Sequence, residues 1–75
     1  MAEPQQPLRD NVAGISWEAR PEWLAGSYWW RVYVAGHPKV LVRFADSAVA
    51  VGKALAADEA QFRRDARAGE SLPRV

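Results

Sequence analysis

The chain has 75 residues, of which 49% are hydrophobic and 25% charged, and its formal net charge is +1. These values are typical of one small globular domain, and the lack of cysteine excludes disulfide bonds and thiolate metal sites. The sequence shows neither a secretory signal nor an apolar run long enough to cross a bilayer, which predicts a cytoplasmic protein without a membrane partner.

The N-terminal part of the chain is polar and contains little regular pattern. Residues 1–11 include two prolines and a glutamine pair, which predicts a disordered tail. A single domain is predicted over residues 12–69, followed by a C-terminal tail over residues 70–75. Within the domain, Ile15 and Trp17 alternate with polar residues, so the segment 12–19 is a candidate first strand.

The segment 21–26 begins with proline and ends with glycine. This pattern indicates either a single helical turn or a loop that places Trp23 and Leu24 under the sheet. The sequence does not decide between these two alternatives, nor does it settle whether the segment 12–19 pairs with the strands that follow.

Two strands around a tight turn form the centre of the chain. Aromatic and β-branched residues favour a strand over 27–34, a turn at 35–38 and a return strand over 39–45. Period-two alternation gives one apolar face, predicted to be buried: Trp30, Val32, Val34, Val40, Val42 and Phe44. The opposite face is aromatic and basic: Trp29, Arg31, Tyr33, Lys39, Leu41 and Arg43. Its three cations give residues 27–45 a formal charge of +3.

A long helix is predicted after the return strand. Asp46 or Ser47 is a good N-cap, the helix runs over about 48–68, and Gly69 is the expected residue after its end. A break near Ala57 is the less favoured alternative. One narrow apolar stripe is predicted to cover the sheet: Ala48, Val51, Leu55, Phe62 and Ala66. The cations Lys53, Arg63, Arg64 and Arg67 point away from it.

These elements predict an α+β fold, a small antiparallel sheet of two or three strands with one amphipathic helix packed on one face. No pattern of catalytic, cofactor-binding or metal-binding residues is present. The single histidine, His37, lies at an exposed turn, and Asp58 and Glu59 are expected to be solvated. The sequence therefore predicts a binding protein that is not an enzyme and needs no cofactor.

The aromatic and basic face is the predicted binding surface. Arginine and lysine contact phosphates and guanine edges, and aromatic rings stack on bases. The same rings, with Leu41, are the residue types that dominate protein–protein contacts. The arginines near the helix end are a second candidate surface, although cations there also complement the helix dipole.

The sequence also resembles known DNA-binding domains over about residues 14–60. The stretches WWRVYVAG and KVLVRFADSAVAVGKALAADEA are similar to the AP2-type domains and to the arm-binding domains of tyrosine recombinases. The residues that carry the resemblance are Trp30, Val32, Gly36, Phe44, Asp46, Ser47 and Ala54. The resemblance implies a three-stranded sheet that docks in the major groove, with Arg31, Lys39 and Arg43 as sheet contacts.

The function predicted from the sequence is that of a small DNA-binding accessory or regulatory protein that recognises duplex DNA. The alternative is a protein-interaction module, either a homodimer or an inhibitor of a larger protein, with Trp29, Tyr33 and Leu41 at the centre of the contact.

Overall fold

The structure, a computed structural model, describes the backbone of residues 6–71 and the side chains of residues 6–68. Four strands form an antiparallel sheet in the order of the chain, and one helix follows. The elements are β1 (Leu8–Val12), β2 (Ile15–Leu24), β3 (Ser27–Val34), β4 (Val40–Val42) and α1 (Ala45–Ser71). The predicted α+β class is confirmed, with four strands where the sequence analysis counts two or three.

The additional strand comes from the segment that the sequence assigns to the N-terminal tail. Residues 8–11 belong to β1, which pairs with β2 from Leu8 opposite Ala19 to Val12 opposite Ile15. Leu8 and Val12 are half-buried against the core, but the three residues between them are polar, which hides the strand pattern. The rest of the predicted tails, residues 1–5 and 72–75, lies outside the described residues.

The prediction for residues 21–26 is wrong in both of its forms, because β2 continues through Pro21 to Leu24. Pro21 pairs with Trp30 in β3, whereas β1 ends opposite Ala19. In a hairpin closed by a two-residue turn after Leu24, Pro21 is in a non-hydrogen-bonded pair, so its nitrogen faces the side that β1 no longer occupies. The missing N–H of Pro21 therefore removes no bond from the sheet.

The sheet presents its buried face to the helix. The core consists of alternating strand residues and small helix residues: Ile15, Trp17, Ala19, Trp30, Val32, Val34, Ala48, Ala56 and Ala60. Gly52 is buried with them, and a Cβ atom at this position would lie 2.5 Å from the Trp17 ring. The helix therefore approaches the sheet through alanine and glycine.

The predicted apolar stripe of the helix is only partly correct. Val51 and Leu55 are half-buried at its margin, but Phe62 is 68% exposed and Ala66 is also exposed. The sheet-facing stripe is rotated away from them, because only the smallest side chains allow close packing under Trp17. Phe44, predicted on the buried sheet face, is 64% exposed because the chain leaves the strand after Val42.

The helix is longer than predicted at both ends. The Phe44 carbonyl accepts the Ala48 N–H at 3.0 Å, so α1 begins at Ala45, and Asp46 lies in its first turn instead of capping it. The helix is unbroken at Ala57 and continues through Gly69 to Ser71. Residues 61–68 are all exposed, so the last part of α1 extends past the sheet.

We expect Gly52→Ala to destabilise the protein by about 1–3 kcal/mol, because the added methyl group overpacks the Trp17 ring. The same substitution at an exposed helical site stabilises by up to about 1 kcal/mol, so the two mechanisms predict opposite signs. Chemical denaturation measures the change, and the penalty should shrink in a Trp17→Phe background. A higher unfolding midpoint for Gly52→Ala would show that the helix does not lie this close.

A single substitution in the β2–β3 turn is expected to stabilise the fold. Ala25 has φ of 51° and is followed by Gly26 at 81°, the pattern of a type I′ turn, in which asparagine is preferred at the first position. We expect Ala25→Asn to raise the free energy of unfolding by about 1 kcal/mol, because alanine is strained in the left-handed region. Ala35 precedes Gly36 in the β3–β4 turn but has no positive φ. Ala35→Asn is thus the matched control, and an equal gain there would refute the explanation.

Candidate functional site

The candidate site is the face of the sheet opposite the helix, called here the outer face. It holds the six predicted residues, Trp29, Arg31, Tyr33, Lys39, Leu41 and Arg43, together with polar side chains from β1 and β2. The pairing places Glu22 opposite Trp29, Arg20 opposite Arg31 and Glu18 opposite Tyr33. On the other side of β3, Leu41 is opposite Arg31. The antiparallel register thus brings all six predicted residues onto one surface.

One end of the outer face is centred on Trp29. Its ring is half-buried, and the guanidinium carbon of Arg43 lies 5.7 Å from the ring centroid. Arg43 also donates to the Tyr28 carbonyl at 2.6 Å and lies 5.4 Å from the Phe44 ring centroid. These contacts hold an exposed cation above an aromatic surface.

The other end is centred on Tyr33, which is also half-buried. Two cations flank its ring: the Arg20 guanidinium carbon at 5.0 Å from the centroid and the Lys39 ammonium at 5.4 Å. Within residues 6–68, Lys39 and Arg43 form no ion pair with a carboxylate. Their charges are therefore compensated by the ring faces, by solvent and, for Arg43, by the Tyr28 carbonyl.

Two carboxylates on β2 pair with the remaining cations. Glu22 accepts a short hydrogen bond from Arg31, which raises the pKa of the arginine. Glu18 lies 3.2 Å from Arg20 and 3.5 Å from Arg9. With five cations and two carboxylates, the outer face carries an excess of three positive charges, whereas the whole chain carries one.

The half of the outer face around Tyr33 is concave. A cavity of about 750 Å³ lies over β1, β2 and β3, and its lining includes Arg9, Asn11, Ser16, Glu18, Tyr33 and Lys39. Polar hydrogen-bonding groups thus surround one aromatic ring in a space large enough for a nucleotide-sized group. On the same outer face, Leu41 is 40% exposed and provides an apolar side chain.

The predictions for His37 and Glu59 are corrected by their packing. Glu59 is only 9% exposed, and its carboxylate lies 3.3 Å from His37 Nε2 and 3.0 Å from Arg63 Nε. A Cβ atom at Gly36, whose φ is 83°, would lie 2.8 Å from Glu59 Oε2. This cluster joins the helix to the β3–β4 turn, so a residue expected to be solvated has a structural role. The turn itself is confirmed.

The polar partners on the outer face are the residues that sequence reasoning missed. The sequence pattern puts Arg9 in a tail and does not put Arg20, Glu18 and Glu22 beside the central hairpin. The alternation of charged residues at 18, 20 and 22 is the signal that indicates a strand here, but the proline between the last two weakens it.

The described residues contain no group of three or more side chains suited to hold a metal ion. Among residues 6–71, no helix combines the length and apolar character of a membrane span. Comparisons with protein-family models, with curated proteins and with solved structures find no match to the chain.

The ion pair of Glu18 makes a prediction about pH. The hydrogen bond from Arg20 lowers the pKa of the Glu18 carboxyl, with smaller contributions from the charges of Arg20 and Arg9. Because the folded pKa is the lower one, the pair stabilises the fold above the usual glutamate pKa and is lost as the pH falls through the folded value. NMR titration of the Glu18 carboxyl carbon should give a midpoint below the usual range. Arg20→Gln should restore it, and an unchanged midpoint in that variant would show that another group causes the shift.

Proposed function

We propose that the protein is a small DNA-binding protein that acts without chemistry and uses its outer face to contact duplex DNA. The observation that carries the proposal is the concentration of positive charge on one face, where Arg43 and Lys39 lie over aromatic rings without carboxylate partners. Electrostatic contact with phosphates supplies most non-specific DNA affinity, and such cations are available for it.

The shape of the sheet supports a duplex partner. Beyond Ala19, β1 is absent, and β4 pairs with β3 only from Trp30 to Val32. The last three residue pairs of the β2–β3 hairpin, residues 22–24 with 27–29, therefore form a two-stranded ribbon. The major groove of B-DNA is wide enough to admit a ribbon of this kind.

The part of the outer face at and next to the ribbon carries different groups for different contacts. Arg43 is suited to the phosphates at the groove edge, and Trp29 packs against sugars or bases. Glu22 fixes the orientation of Arg31 while also neutralising it. We infer that Arg31 orients the bound DNA through hydrogen bonds and adds little net electrostatic attraction, whereas Lys39 and Arg43 supply that attraction.

A protein-interaction module is the second candidate. It is favoured by exposed apolar side chains at and around the outer face, since Leu41 is 40% exposed and Trp23 and Phe44 more than 60%. In this case Trp29, Tyr33 and Leu41 form the contact, in a homodimer or against another protein.

Fluorescence anisotropy with a labelled duplex tests the first proposal. We expect binding that weakens steeply as salt rises from 50 to about 200 mM, and a loss of about tenfold or more for Arg43→Glu. Lys53→Glu is the matched control, because it reverses one exposed charge on the helix, which covers the opposite face of the sheet. Its effect should stay within about twofold.

Equal weakening by the two variants, or no binding to duplex at low salt, would contradict the DNA proposal. Sedimentation measures the alternative in the same samples. A mass above that of the monomer, lost in Trp29→Ala while circular dichroism stays unchanged, would favour self-association through the outer face.

A further inference from the structure

A second cationic cavity lies at the end of the sheet away from the hairpin ribbon. Three arginines of α1, Arg63, Arg64 and Arg67, face the β1–β2 turn around a cavity of about 410 Å³. The remaining lining residues are Ala13, Gly14, Ile15 and Ala60. Among the residues whose side chains are described, no carboxylate lines it, and we call it the arginine pocket.

Arg63 and Arg64 are each oriented by a side chain of the same helix, but only Arg63 is paired with a carboxylate among the described residues. Arg63 Nε lies 3.0 Å from the Glu59 carboxylate, so its charge is largely compensated. Arg64 donates to the neutral Gln61 amide oxygen at 2.8 Å, which holds the guanidinium in place and leaves its charge. Among the described residues, the pocket therefore combines an oriented guanidinium at Arg64 with a positive excess, a combination suited to an anion.

The pair with Glu59 gives Arg63 a role in the fold, but neither folding nor the helix dipole accounts for Arg64. Ala60 is the last buried residue of the helix among those whose side chains are described, and residues 61–68 are exposed. The helix continues to Ser71, and its last turn contains no basic residue. Because the dipole acts within about the last turn, it gives no reason for cations at 63 and 64.

The arginine pocket adjoins the concave part of the outer face. Asn11 and Ser16 line the outer cavity, and Ala13, Gly14 and Ile15 line the arginine pocket, so both cavities border the same turn. We propose that the arginine pocket binds a phosphate of the DNA backbone beyond the segment held by the outer face. This inference rests on the proposed function.

The length of β2 determines how far apart the two contacts lie. Its ten residues separate the ribbon tip from the β1–β2 turn by roughly 30 Å, about nine base pairs of duplex. A duplex of about 8 base pairs therefore fills the outer face alone, whereas one of about 16 base pairs reaches the arginine pocket.

The test compares both duplexes on the full chain and on two variants. We expect Arg64→Gln to weaken binding of the long duplex about fivefold to tenfold and that of the short duplex less than twofold, with a salt slope lower by about one for the long probe only. Lys53→Gln removes one cation from the same helix eleven residues earlier and should change neither affinity by more than about twofold. Equal effects of Arg64→Gln on both lengths, or no effect on either, would overturn the proposal.

A titration with inorganic pyrophosphate at constant ionic strength separates this inference from the proposed function. Saturable NMR shifts at the Gly14 amide and the Arg64 Nε–H, with the Gly14 shift lost in Arg64→Gln, would support a phosphate site even if no duplex binds. In that case the DNA proposal fails alone. If these two signals do not move, the arginine pocket is not a phosphate site, whatever the outer face binds.

Discussion

The close contact between the Trp17 ring and Gly52 is the constraint on which the rest of the structure depends. The indole is 3% exposed and occupies the space where any other residue at position 52 would place its Cβ atom. The Trp17 indole N–H has no hydrogen-bond partner among the described residues. A buried unsatisfied donor costs about 1–3 kcal/mol, so the packing of the ring must outweigh that cost.

This contact also determines which face of the helix is buried. To fit under the ring, α1 presents Ala48, Gly52 and Ala56 to the sheet and leaves Phe62 in solvent. A small core of this kind buries limited apolar area in a short domain. The Glu59–His37 pair connects α1 to the β3–β4 turn a second time, near the C-terminal end of the part of the helix that covers the sheet. The helix covers one sheet face only, so the rings at 29 and 33 stay at the surface.

The sorting of charges on the outer face follows from the register of β2 and β3. Glu22 and Glu18 pair with Arg31 and Arg20. Lys39 and Arg43, on or beside the short strand β4, lie over aromatic rings and have no carboxylate partner among the described residues. In the proposed function, these two cations near one edge of the sheet contact the phosphates. The arginine pocket and the concave end of this face both border the β1–β2 turn. The proposed DNA path therefore follows the long axis of β2.

Local pattern determined much of this protein from sequence alone: the central hairpin, its two faces, the turn at Gly36 and the long helix all follow from residue alternation, β propensity and glycine chemistry. The six outer-face residues could be grouped in advance for the same reason. Only the tertiary structure decided that residues 8–12 pair as a strand, that Pro21 stays within β2, that Glu22 neutralises Arg31, and that Phe62 is exposed. These features depend on contacts between segments far apart in the chain. The strand register and the close packing against Trp17 decide which residues pair and which helix face is buried, and the local sequence does not distinguish these arrangements.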